Sequence, residues 1–388
     1  MISLTTADKA LKDIYLDVVT DQLTSANPFL ARIKQTTQDV YGNNIKKLVP
    51  YGINGGIGAG TESGTLPIAG GNKYARFEAT LKNLYGTIEI TDKAIRASQN
   101  SAGAFVNLLN AEMEGLIKAS QYNFGRMLFG DGSGTLASVS ANTGNCITVD
   151  SSAKLEEGMI VDIYSNDTIT ASARMITAIG KDSNGLPTVT VDGTALGTLT
   201  ATHKIYLQNS KDLEITGLGA IFDNSAPSIY GITKASNNWV KPFSYNVNGT
   251  ITAAAIRKAI DDVEQFSNSI SNFIVCSMGV RRALHMYMIN NNIPVKTEII
   301  DGGNKALMFE GIPVIADKFC PAKTMYVLNT NEFTLHQLCD WRWLEGEDGK
   351  ILKQKSGLPI FTATLVKYCE LICNKPKGQA MLYGITEM

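Results

Sequence analysis

The chain has 388 residues, with 35 Lys plus Arg against 36 Asp plus Glu and a formal net charge of −1. Its length supports two or three domains with sizeable cores, and with this balanced charge no basic stripe announces tight nucleic-acid binding and no acidic tail announces a basic partner. No run of about 18 apolar residues occurs, so no membrane-spanning helix is expected, and Asp8, Lys9, Lys12 and Asp13 stand where a signal peptide needs an apolar core.

Residues 1–42 read as an N-terminal arm. Leu11, Ile14, Tyr15, Val18 and Val19 make a short amphipathic helix that needs a neighbour to pack against, and Asn27-Pro28 ends it because the residue before proline avoids the helical region. Residues 43–90 turn extended: Ile45, Leu48 and Val49 precede Pro50, and polarity largely alternates from Asn72 to Thr91. Between these runs, eight of the twenty residues from Gly52 to Gly71 are glycine. A phosphate-cradling loop is not expected, since the Gly-Lys-Ser/Thr ending is missing and no helix follows. The stretch reads instead as the tip of a long two-stranded arm, and such a hairpin is marginal in water unless it lies on something, here another subunit. Gly55, Gly56, Gly60, Leu66, Pro67, Lys73 and Arg76 are the candidate contact residues.

Residues 91–143 centre on a long helix. Thr91 and Asp92 can cap a short helix (DKAIRAS) that leads into it, and Asn100 or Ser101 can cap its start. Phe105, Leu109, Met113, Leu116, Ser120, Phe124 and Met127 then form one stripe, with Glu112, Glu114, Lys118, Gln121 and Arg126 read as its wet side. Gly130-Asp131-Gly132 stops the helix, and at ~1.5 Å per residue it runs on the order of 40 Å. Residues 144–208 change texture to Thr, Val, Ile and Ser punctuated by turn residues, and CITVD, MIVDIYS, ARMITAIG, PTVTVD and KIYLQN predict about five strands of an inserted β-barrel or sandwich. Asp150, Asp162, Asp167, Asp182 and Asp192 lack the alternating oxygens of a calcium loop and read as turn residues.

Residues 209–360 are mixed α/β. Thr252 can cap AAAIRKAIDDVEQF, FIVCS reads as a buried strand, and Ser277 can cap MGVRRALHMYMIN. The polar stretch from Asn290 to Lys305 reads as an exposed, mobile loop, and GIPVIAD, MYVLN and FTLHQLCDW as strands. Residues 361–388 close the chain with two more. Trp341 and Trp343 fall on one strand face and read as an aromatic patch in a core or a subunit contact. His203, His285 and His336 lie in three separate segments without partners by spacing, and structural roles are expected. Ser133 follows a helix, where a nucleophile elbow needs a strand, and Gly217-Leu218-Gly219 is a lone GxG. The six cysteines stand singly in apolar runs without CxxC pairs and read as reduced, buried thiols. No catalytic residue, cofactor or metal is expected.

The order of segments is what carries a family resemblance. An arm, a glycine-tipped extended loop, a long helix ending in LFGDGSG, a β insertion and an α/β domain, with GTIEITDKAIRAS, EITGLGAIFDN, GIPVIAD, DWRWLEG and CELICNKPKGQAMLYGI, together resemble the major capsid protein of a tailed bacteriophage. The resemblance implies an α+β fold of the Hong Kong 97 type, with a spine helix in a peripheral domain and an axial domain. It implies a non-enzymatic subunit that self-assembles into hexamers and pentamers of an icosahedral head, assembled in the bacterial host cytoplasm around packaged double-stranded DNA held by weak non-specific contact. Residues 52–71 would then lie over a neighbour, and residues 290–305, with Asn291, Asn292, Gly302 and Gly303, would point to the capsomer axis. Trp341 and Trp343 join the candidate inter-subunit contacts. Because the chain begins almost at the arm, a separate scaffolding protein is expected, alongside a portal and, where present, a decoration protein. A Lys73 isopeptide crosslink is not expected, since nothing identifies a partner for it. The alternatives are an encapsulin-like nanocompartment shell and an enzyme with a β-barrel accessory domain.

Overall fold

A computed structural model of the chain describes residues 27–93, 102–300, 304–346 and 349–388. The expected helix of residues 5–24, the caps at Asn100 and Ser101, most of DKAIRAS, and Gly302 and Gly303 lie outside them. Ala102–Leu128 is one helix, as the stripe predicts. Met113, Ile117, Phe124, Met127 and Leu128 are buried, while Glu112, Glu114 and Lys118 face water. Arg126 departs from the expected wet side. It is only 1% exposed, because the last turn of the helix runs into the core and an internal carboxylate meets the guanidinium there. The helix ends where the Gly130 amide donates to the Met127 carbonyl at 3.0 Å, and Gly132 and Gly134, at φ +84° and +79°, turn the chain away through a region closed to most side chains.

Against this helix lies a five-stranded sheet in which Ile360–Cys373 is central. It pairs antiparallel with Phe333–Trp343 on one side and with Lys82–Thr91 on the other, while Lys34–Thr36 adds a parallel edge and Lys353–Gln354 a short one. Gly86 lets the helix approach the sheet: a Cβ there would sit 2.8 Å from Leu116 Cδ1. This sheet draws strands from three separate parts of the chain. Phe333–Trp343 packs with the helix and the arm, as a peripheral segment inside the expected axial stretch 209–360, and the two C-terminal strands separate into different sheets.

The inserted domain is a closed six-stranded barrel, in the order Pro187–Val191, Cys146–Val149, Thr135–Thr143, His203–Leu207, Ile160–Ser165 and Thr168–Lys181. All five expected strands are present. The sixth, Thr135–Thr143, places the start of the barrel at Thr135 and not at residue 144; the run LASVSANT is too polar to announce a strand, yet Leu136, Ala137 and Val139 point into the barrel core. Asp162 also departs from expectation. It is buried inside strand Ile160–Ser165 and accepts from the Ala173 and Asn209 amides, each at 2.8 Å.

The remaining unit is a seven-stranded mixed sheet, ordered Phe243–Gly249, Ala380–Ile385, Met325–Leu328, Phe273–Cys276, Ile312–Ala316, Asn304–Phe309 and Lys296–Ile300. Alternation assigns its two faces. Ile274, Cys276, Val314, Met325, Val327 and Leu382 meet helices Ala253–Ser267 and Met278–Asn290, whereas Phe273, Val275, Ile315, Tyr326 and Leu328 join the core around the long helix. Both helices are capped as expected: Thr252 Oγ1 accepts from the Ala255 amide at 3.2 Å and Ser277 Oγ from that of Val280 at 3.3 Å. The stretch 290–305, expected as a mobile loop, is built differently. Lys296–Ile300 and Asn304–Phe309 form an antiparallel hairpin at the sheet edge, because Thr297, Ile299 and Ile300 supply β-formers between the asparagines and the glycines.

Candidate assembly surface

The extended arm is a hairpin of Asn44–Pro50 with Tyr74–Thr80, antiparallel from Asn44 opposite Thr80 to Pro50 opposite Tyr74. Its inner face is anchored. Ile45, Val49 and Phe77 are buried, Phe77 stacks 5.8 Å from Trp239, and Tyr51 lies parallel to the same indole at 4.7 Å. The Glu78 amide donates to the Tyr230 carbonyl at 3.0 Å. Tyr230 in turn donates its hydroxyl to the Leu371 carbonyl at 3.0 Å and accepts from the Cys373 amide at 3.2 Å, which fastens the root of the arm to the central strand of the five-stranded sheet.

Beyond the root the arm carries no core of its own. Ile53, Ile57, Leu66 and Ile68 are 88%, 90%, 88% and 91% exposed. Burying each is worth roughly 1.5–3 kcal/mol, so the tip presents a large unrealised apolar gain on a chain rich in glycine. Gly55, Gly56, Gly60, Leu66 and Pro67 all lie in this exposed tip. Its two limbs run close enough that a Cβ on Gly56 would sit 2.7 Å from the Gly70 amide nitrogen; the glycines allow the limbs to lie flat together. Lys73 stands at the base of the tip, where its carbonyl accepts from the Tyr51 amide at 2.9 Å. Arg76 reaches Glu78 at 2.5 Å on the outer face, an exposed pair of small energetic worth. Of the tip's four exposed isoleucine and leucine residues only Leu66 is a sequence candidate. Ile53, Ile57 and Ile68 were legible as large apolar side chains in a loop with nothing of its own to bury them against.

The other sequence candidates disperse. Asn291 is engaged locally, its Nδ2 donating to the Tyr287 carbonyl at 2.8 Å, and Asn292 has a left-handed backbone at φ +53°; both are exposed beside the hairpin of the seven-stranded sheet. Trp341 and Trp343 are 6% and 3% exposed. Trp341 packs edge-on to Phe124 at 6.3 Å, so the pair belongs to the core of this subunit and not to a contact between subunits. Lys367 lies over both Phe124 and Trp341 at 5.8 Å and donates to Asp340 Oδ1 at 2.6 Å.

Gly217 and Gly219 have a packing role that their GxG spacing does not show. A Cβ on Gly217 would meet the Met127 carbonyl oxygen at 2.3 Å and one on Gly219 the Gly130 carbonyl oxygen at 2.9 Å, so both let the chain re-enter hard against the end of the long helix. The histidines stay apart: His203 is in the barrel, His285 on a helix, and His336 in a sheet with Nδ1 2.9 Å from the Gln38 carbonyl. Burial holds the His336 imidazole below its usual pKa. The cysteines are all free, Cys146 and Cys339 half-buried and the others buried, and burial pushes the Cys276 and Cys369 thiols up to about 12, far from nucleophilic range. Among the described residues, no group of three or more His, Cys, Asp or Glu could hold a metal ion, and no helix is long and apolar enough to cross a membrane.

No protein-family model and no curated protein matches the sequence. Solved structures do. The capsid asymmetric unit of cyanophage A-1(L) is similar at a TM-score of 0.56 and 12% identity over 95% of this chain and 93% of that one. A native GTA particle capsid follows at 0.49, with 11% identity over 93% and 91%, and the holo-SrpI encapsulin complex from Synechococcus elongatus at 0.47, with 11% identity over 94% and 90%. The cyanophage likeness shows the fold: the chain has the α+β architecture of the Hong Kong 97-type capsid proteins.

Proposed function

We propose that this chain is a shell-building subunit, the major capsid protein of a tailed bacteriophage, which self-assembles into hexamers and pentamers of an icosahedral head around double-stranded DNA. The observation that carries this reading is the arm: a hairpin anchored by Phe77, Tyr51 and Trp239 at its root and tipped by four isoleucine and leucine side chains at least 88% exposed. A monomer gains nothing from such a structure. A second copy that receives the tip covers its apolar surface and pairs its limbs, and a head-to-tail contact of this kind closes into rings. The Hong Kong 97-type fold supports the same reading. So does the near-zero net charge, since a container wall with strong basic patches would hold DNA by every phosphate it touched.

The subunit acts by packing and not by chemistry, inside the virion after assembly in the host cytoplasm, with a separate scaffolding protein and a portal as partners. Residues 290–305 lie toward the capsomer axis in this arrangement. Negative-stain electron microscopy with analytical ultracentrifugation, on the protein alone and co-expressed with its neighbouring genes, tests it. Closed shells, or rings that convert to shells with a scaffold, are the expected result, and a stable monomer or dimer under every condition overturns it. DNA inside the shells identifies a virus head; an enzyme inside them identifies a nanocompartment.

A further inference from the structure

Helix Met278–Asn290 carries Arg281, Arg282 and His285, and His285 lies four residues from the first and three from the second, the spacings that make neighbours on a helix surface. Facing them, the edge hairpin supplies Lys305 and Thr297, the latter paired opposite Leu307. These side chains, with Ala306 and Leu307 as an apolar floor, line a cavity of about 250 Å³. Among the described residues no Asp or Glu lines it. Among the described residues the side chains of Arg281, His285 and Lys305 have no hydrogen-bond or ion-pair partner, and Arg282 donates its Nε to the chain-end oxygen of Met388 at 2.5 Å, which leaves its Nη1 and Nη2 groups to the cavity. Several cations elsewhere in the protein are paired, Arg257 with Glu310, Lys355 with Glu89 and Lys211 with Asp167. Three fixed positive charges gathered around one cavity repel one another, and an anion seated between them removes that cost.

We propose that this cavity is a binding site for phosphate groups. Two guanidinium forks, an ammonium, an imidazole and a hydroxyl give donors converging from two elements. A tetrahedral phosphate, with up to two negative charges and three free oxygens, uses them more fully than a planar carboxylate with one charge. The cavity has room for more than one linked phosphate, so an oligophosphate or a stretch of phosphodiester backbone fits its chemistry equally. The site is built within one subunit and does not rest on shell formation.

Isothermal titration of the full-length protein with tripolyphosphate, and separately with a ten-nucleotide single strand, tests it. Saturable binding of one ligand per subunit is expected, weakened at least tenfold in Lys305→Glu and in Arg281→Gln and unchanged in Lys181→Glu, an exposed lysine of the barrel. Circular dichroism melts matched to the parent show that the variants fold, and Arg281→Gln, which keeps bulk and polarity, guards against a collapsed site. Tighter binding of the oligonucleotide through the same residues assigns the site to nucleic-acid backbone, and tighter binding of tripolyphosphate assigns it to small phosphates. Absence of saturable binding by either probe, or binding that Lys305→Glu and Arg281→Gln leave intact, overturns the proposal.

Discussion

Arg126 grips Glu214 with two parallel hydrogen bonds inside the protein, Nη1 to Oε2 at 2.9 Å and Nη2 to Oε1 at 2.5 Å, with the two side chains 2% and 3% exposed. The pair joins the end of the long helix to the strand-to-helix segment that leaves the barrel, so three units meet at one ionic contact. Removing one partner strands the other charge without water. Arg126→Met or Glu214→Leu alone is expected to cost about 3–5 kcal/mol, while the double variant recovers most of the loss. Urea denaturation of the unassembled subunit, read as a midpoint shift, checks both; equal loss in the double variant would refute the account.

Glu370 gives stability a pH dependence with a definite sign. Burial raises its carboxyl from the usual 4.5 to about 7, against hydrogen bonds from the Thr216 and Leu371 amides, both to Oε1. The folded protein therefore holds this proton more tightly than the unfolded chain. The contribution is full below about pH 4.5 and is lost as pH rises to about 7. Glu370→Gln keeps Oε1 as an acceptor and cannot ionise, so it is expected to gain stability over the parent at pH 8, by up to roughly 3 kcal/mol, and to match it near pH 4.5. His336, held below its usual value by burial, works in the opposite direction, costing stability as pH falls below its unfolded-state value near 6.5. Melting curves of parent and variant across pH 4 to 8 separate the two slopes, and a variant that tracks its parent throughout would exclude Glu370 as the source.

Ile57→Asp and Ile68→Asp separate folding from assembly. Both side chains are about nine-tenths exposed, so each change is expected to shift subunit stability by less than about 0.5 kcal/mol while abolishing rings and shells. Thermal melts and sedimentation velocity on the same preparations make the comparison. Shells formed by Ile57→Asp at parental yield would remove the tip from the contact.

Gly217→Ala tests the packing of the long helix against the re-entering chain. The added carbon would meet the Met127 and Gly130 carbonyl oxygens at 2.3 and 2.6 Å, and because these are backbone atoms the clash is relieved only by moving the helix end. A loss at the upper end of about 1–3 kcal/mol is expected. Gly197→Ala, with nothing within 4 Å of the new carbon, is the neutral comparison. Chemical denaturation of both variants decides the matter.

Local rules carried the elements: the stripe from Met113 to Met127 predicted the long helix, Thr252 and Ser277 the two caps, and glycine density the arm's tip. Long-range pairing was not legible. Nothing in FTLHQLCDW says that its neighbours are residues 34–36 and 360–373, because register between distant strands is written in neither sequence separately. Arg126 shows the same limit. Its helical position predicts a wet face, and only Glu214, brought in from beyond the barrel, makes burial tolerable. Trp341 and Trp343 looked equally suited to a core or a contact, since a large apolar side chain carries no mark of whether its cover comes from its own chain. The cavity beside Arg281 was hidden for a related reason, as Lys305 approaches the helix only through a hairpin that the sequence presents as loop.

Lys82–Thr91, which continues directly from the arm, finds its ladder partner in Ile360–Cys373, from Lys82 opposite Cys369 to Thr91 opposite Ile360. A ribosome builds the chain from its N-terminus at ~5–20 residues per second, so the arm's root waits until residues 360–373 are made before its partner strand exists. The same late segment supplies the Leu371 carbonyl and the Cys373 amide that hold Tyr230 beneath the hairpin. A nascent chain that lacks residues 360–373 thus cannot hold the arm in its final direction. If the chain assembles as proposed, products that stop before residue 360 are expected to be excluded from assembly by the same pairing that orders the longer chain.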